Sequence, residues 1–213
     1  MPAQAFCPAP LRLEPLILVQ EISHRVVNEY TQAIAGIRLA AAGVASPEGR
    51  LALVAAATQL HVYAEAHRAL QAPAFGGGAD LGLYLQTLCS AITAASLQER
   101  GIRLTLAADT VNLPADRCWR VALIVSELIT NAVRHGLSGG PGHIFVKQKT
   151  TERVVTCSVS NRGEASRAAR PGCGMAVVQG LATELDGIVS WRSENDWTSA
   201  ELVFPLVIPE KLA

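Results

Sequence analysis

The chain has 213 residues, half of them apolar, enough for one sizeable core or two small ones. Eighteen basic and eighteen acidic residues cancel, and no Lys/Arg block stands out, so a sequence-independent grip on nucleic acid is not expected. Five scattered cysteines without paired metal spacing read as ordinary thiols, no apolar run is long enough to cross a bilayer, and no signal peptide is indicated, so a soluble cytoplasmic protein is expected.

Residues 11–70 have helical periodicity. Val19, Ile22, Val26, Tyr30, Ala33 and Ile37 follow a three-then-four spacing, as do Leu53, Ala57, Leu60, Ala64, His67 and Leu70. Gly43 and Pro47 bracket a turn between them, so the two helices lie antiparallel. A lone hairpin buries too little surface to be stable, and a second copy completing a four-helix bundle is the economical solution. At about 100° per residue, His24 lies roughly 160–200° from Ile22 and Val26 and therefore faces outward. Asn28 follows one turn on. An outward histidine is ordinarily inert, yet imidazole is a competent nucleophile toward phosphorus and a rigid helix presents it well.

Residues 72–79, with Pro73 and three consecutive glycines, read as a flexible joint, dividing the chain into 1–73 and 74–213. Beyond it the expected elements are a helix over 81–100, a strand over 102–106 and a helix from about Pro114 or Asp116 that Gly136 ends. Strands over 144–149 and 154–159, a helix over 175–185 and a hairpin of 188–192 with 200–206 complete the order. This order predicts an α+β fold, an open mixed sheet with helices on one face.

Two segments after the joint carry chemistry. In residues 125–136, Glu127, Asn131 and His135 are four apart each time and stack on one helix face. A carboxylate, a carboxamide and an imidazole in a column suit a hydrated magnesium–phosphate group. Further on, Gly172 and Gly174 precede an apolar helical run, where small residues and free N–H groups let a backbone approach phosphate oxygens.

In content and order these segments resemble the core of a bacterial sensor histidine kinase. His24-Arg-Val-Val-Asn28 is similar to the His-Arg-x-x-Asn phosphoacceptor box of one branch, and residues 50–63, ending Gln-Leu-His-Val-Tyr, to its second bundle helix. Asp80-Leu-Gly-Leu-Tyr-Leu-Gln86 resembles the entry to a GHKL-type ATPase domain, and the resemblance covers residues 16–206. It implies a homodimer in which His24 takes the γ-phosphoryl group of ATP and passes it to an aspartate on a response-regulator receiver domain. A separate sensor protein would supply the signal. By the same resemblance Asn131 would hold Mg²⁺ and the phosphates, with Glu127 positioning metal or water and His135 near the phosphates. Gly172 and Gly174 would end the nucleotide lid, and Thr198 would precede the last strand. The family's Asp-x-Gly-x-Gly box is altered: Asn161 stands for the adenine-reading aspartate, Gly163 is kept, and Ala165 replaces the second glycine. Losing a charge-assisted bond weakens adenine binding by about 1–2 kcal/mol, or about five- to thirty-fold. The alternative is a phosphotransfer protein of the same architecture that relays phosphate between receiver domains without ATP.

Overall fold

A computed structural model describes residues 15–71, 77–138, 140–163 and 173–207. Helix α1 (Pro15–Gly43) and helix α2 (Pro47–Ala69) form the expected hairpin. Ser46 starts α2 by accepting a hydrogen bond from the Gly49 amide at 3.2 Å, and Pro47 takes the first helical position, where its missing N–H is harmless.

The seam of α2 packs as its spacing predicts, with Ala57 and Ala64 buried. That of α1 is rotated. Val27, Ile34 and Ala41 face α2, whereas Ile22 is 59% exposed and Ala33 is also exposed. At about 100° per residue the stripe Ile22, Val26, Ala33 and Ile37 lies roughly 90° round the helix from the packed one. The apolar arc of α1 is wider than one contact, and α2 covers only part of it.

The chain leaves the hairpin at a held point. The Leu70 carbonyl accepts from the Trp119 indole at 2.8 Å, and the Gln71 carbonyl accepts from the Tyr84 hydroxyl at 2.8 Å. Residues 72–76 of the expected joint lie outside the described residues. Its last part is a short strand, β1 (Gly78–Asp80), paired antiparallel with β3 (Asn112–Pro114). Neither strand is legible in the sequence, because three residues carry no periodicity.

Asp80 caps α3 (Leu81–Ile92) by accepting from the Leu83 amide. The helix widens into a π turn (Thr93–Leu97), tightens into a 3₁₀ turn (Gln98–Arg100) and stops at Gly101, whose φ of +66° suits glycine. Strand β2 (Ile102–Ala108) follows, then α4 (Ala115–Asn131), β4 (Gly142–Thr150), β5 (Val154–Arg162), α5 (Cys173–Glu184), β6 (Ile188–Glu194) and β7 (Trp197–Pro205). The five-stranded sheet runs β2-β4-β5-β7-β6, parallel between β2 and β4 and antiparallel elsewhere.

One sheet face packs against helices. Val155, Cys157, Val159 and Asn161 alternate inward along β5, and Ala200, Leu202 and Phe204 along β7. Opposite them α4 buries Cys118, Val121, Ala122, Val125, Leu128 and Ile129. Arg117 closes one end of this core. It donates to the carbonyls of Pro205, Leu206 and Leu185 and lies 5.2 Å from the Phe204 ring centroid. The predicted α+β architecture, with a helical hairpin ahead of the sheet, is the one observed.

Candidate functional site

Helix α4 carries Glu127 and Asn131 on one half-buried face, as the four-residue spacing requires. The helix then widens: the Leu137 amide bonds to the Ala132 carbonyl five residues back, and residues Ala132–Gly136 form a π turn. His135 is an exposed residue on this widened turn. Single π turns recur at functional sites because they re-aim a helix end without breaking it.

The first turn of α5 lies directly over this face. The Asn131 amide stands 4.0 Å from the Met175 sulfur. A β-carbon added at Gly174 would meet the end of the Glu127 side chain, so the glycine lets the backbone approach that carboxylate where it now lies. Glu127, Asn131 and the backbone at Gly174 are thus gathered in one place. Gly172 lies outside the described residues.

A second cluster forms where the π turn meets the end of β5. Asn161 is 2% exposed and packs against Gly136, where a β-carbon would fall 2.6 Å from its Cγ. Its Nδ2 is buried without a hydrogen-bond partner among the described residues. The backbone of Gly163 lies against the Gly136 carbonyl, leaving no room for a side chain. Thr198 donates to the Gly163 carbonyl at 2.9 Å, and the Gly163 amide donates to the Asp196 carbonyl at 2.7 Å. Asn161 and Thr198 are direct cross-strand neighbours. Gly136 does more than end a helix: its missing side chain admits Asn161, a role no local pattern reveals.

The phosphoacceptor candidates lie on the hairpin. His24 and Asn28 are exposed on α1, as the periodicity predicts. Nε2 of Gln71, at the end of α2, is 3.3 Å from Nδ1 of His24. Sequence reading missed Gln71, which has no signal at 47 residues' separation.

A carboxylate and a carboxamide oxygen fit Mg²⁺, which binds one or two side chains and takes its other ligands from phosphate and water. An orphaned buried amide beside two close-packed glycines fits a ligand edge that offers an acceptor. Among the described residues no cluster of three metal-ligating His, Cys, Asp or Glu side chains forms, and no helix is long and apolar enough to cross a membrane.

The profile of the histidine kinase-like ATPase domain matches residues 92–202, and the chain belongs to that family. Blue-light-activated histidine kinase 2 of Erythrobacter litoralis is 37% identical over 122 residues, covering 55% of this chain and 34% of that protein. Sensor histidine kinase PdtaS of Mycobacterium tuberculosis is 24% identical over 186 residues, covering 84% of this chain and 37% of that protein. The chain therefore spans about a third of the length of these relatives. Among solved structures, the histidine kinase domain of the Erythrobacter litoralis EL346 blue-light activated kinase matches with a TM-score of 0.58 at 20% identity, over 84% of this chain and 94% of that one. A bacterial phosphotransferase matches with a TM-score of 0.59 at 16% identity, over 92% and 100%. These structures share the fold. Together with the family match, the relatives support the reading of the chain as a sensor histidine kinase core.

Proposed function

We propose that the chain is the catalytic core of a histidine kinase that phosphorylates its own His24 from Mg-ATP and passes the group to an aspartate of a receiver domain. The observation that carries this reading is Glu127 and Asn131 gathered under the first turn of α5, in a chain that also presents an outward histidine on a helical hairpin. Asn131 and Glu127 would hold the metal and order its water. Asn161, Gly163 and Thr198 would line the base end of the site, Gly174 the phosphate end, with Gly172 in the lid and His135 at its rim. Bound Mg²⁺ would supply charge neutralisation at the transferring phosphoryl group, and positioning would provide most of the rest. Asn28, one turn from His24 on the same helix, would contact the incoming group. The exposed stripe through Ile22 and Ala33 favours a homodimer, and a cytoplasmic setting is part of the same proposal.

Calorimetric titration with Mg-ATP, followed by labelling with γ-labelled nucleotide, tests it. Micromolar binding and an acid-labile label that vanishes in His24→Ala are expected; label retained on that variant removes the assignment. One observation favours a second reading. The buried Nδ2 of Asn161, without a partner among the described residues, stands where the resemblance calls for a carboxylate. A protein that binds no nucleotide at millimolar concentration, yet takes label on His24 from a phosphorylated receiver domain, would be a phosphotransfer protein.

A further inference from the structure

Among the described residues, the side chain within hydrogen-bonding distance of the His24 imidazole is Gln71, at 3.3 Å from Nδ1. The nearby acid Glu21 is paired with Arg25 at 2.8 Å. We infer that Gln71 is a positioning residue that selects the tautomer of His24, and that the contacts holding its backbone tie this selection to the ATPase-like domain. The inference rests on His24 being the phosphorylated residue.

An unrestrained neutral imidazole prefers to carry its proton on Nε2, the outer nitrogen. For Nε2 to attack phosphorus, the proton must sit on Nδ1, which needs an acceptor there. With the Gln71 Nε2 facing Nδ1 the amide donates and the ring proton stays on the ring's Nε2; the two ends of a carboxamide have the same shape, and half a turn brings Oε1 to that place. With Oε1 accepting from Nδ1–H, the Nε2 lone pair is free. As the N–P bond forms, the bond from phosphorus to its leaving group breaks and its electron pair departs with that group. The positive charge that develops on the ring is met at Nδ1–H by the Gln71 oxygen. No proton has to leave the attacking nitrogen, so the step needs no general base beside the histidine.

The same residue is fixed from the other side. Tyr84 donates to the Gln71 carbonyl and Trp119 to that of Leu70, both at 2.8 Å. Burial pushes the Tyr84 phenol up to about 12, so it remains a donor. Movement of the ATPase-like domain therefore moves Gln71 relative to His24.

The test uses the full chain, potassium phosphoramidate as a small phosphoryl donor that needs no nucleotide site, and ¹⁵N spectra of the His24 ring. Relative to wild type, Gln71→Ala should slow labelling of His24 about tenfold, the scale of one lost hydrogen bond. Gln71→Glu, which only accepts, should keep the rate, and Gln71→Lys, which only donates, should match the alanine variant. The spectra should show the Nδ1–H tautomer in wild type and Gln71→Glu, and Nε2–H in the other two. Equal rates and an unchanged tautomer in Gln71→Ala would overturn the role of Gln71. Absence of label on His24 in wild type, with the tautomer shift still seen, would instead overturn His24 as acceptor and leave the contact established.

Discussion

The decisive single residue is Asn161. Its carboxamide is buried, its Nδ2 has no partner among the described residues, and Gly136 makes room for it. Asn161→Asp would place a carboxylate in this dry position and is expected to destabilise the nucleotide-free protein by about 2 kcal/mol. If residue 161 faces the base, as the proposed function has it, the same change would give adenine's exocyclic amine a charged acceptor, and Mg-ATP affinity is expected to rise about five- to thirty-fold. Urea denaturation with and without nucleotide checks both parts. A variant neither destabilised alone nor rescued by nucleotide would show that the amide does not face the base. The substitution of asparagine for aspartate is plain in the sequence. Its burial is not, because it depends on a glycine 25 residues away in another element.

At the scale of elements, two glycines separate packing from binding. Gly136 ends the π turn and lies against the amide of a buried side chain on β5. Gly136→Ala must overpack that contact and is expected to cost about 1–3 kcal/mol. Gly174 meets the far end of Glu127, a half-buried side chain that can swing away. Gly174→Ala should therefore change stability by less than about 0.5 kcal/mol, while moving the carboxylate away from Asn131 and weakening Mg-ATP binding. Thermal melts beside calorimetry on the two variants separate these effects, and equal destabilisation by both would contradict the geometry. Spacing alone put Glu127 and Asn131 on one face of α4, the face that Gly174 meets. It gave no sign that the helix widens into a π turn after Asn131, on which His135 is carried.

For the molecule as a whole, the hairpin presents unused apolar surface. If Ile22 packs against a second copy, Ile22→Asp should convert a dimer to a monomer in sedimentation without loss of helical circular dichroism, since Ile22 is mostly exposed in one chain. A monomeric wild type would refute the bundle. Alkali tests the core. Burial raises the Cys118 thiol from 9.0 to about 11, those of Cys89 and Cys157 to about 12, and the Tyr84 phenol from 10.0 to about 12. Between the unfolded and folded values the folded state binds more protons. These groups should add no pH dependence below about pH 9 and should lower stability as pH rises from 9 toward 12, read from urea midpoints across that range.

Local pattern in the chain was enough to place the long helices and the five strands of the main sheet, though not the three-residue β1 and β3, because amphipathic periods and breakers act over two to four neighbouring residues. It also determined the order of the chemical groups: an outward His24, then Glu127 and Asn131, then the altered glycine box. Tertiary packing alone decided which arc of α1 meets α2, since that helix is apolar over more than one face and only the sum of contacts selects among them. It alone brought Gln71 to His24, Asn161 to Gly136, and Trp119 and Tyr84 to the last carbonyls of the hairpin. Those pairs lie 13 to 49 residues apart. At such separations no periodicity links two side chains, and chain closure and core packing settle which of them touch.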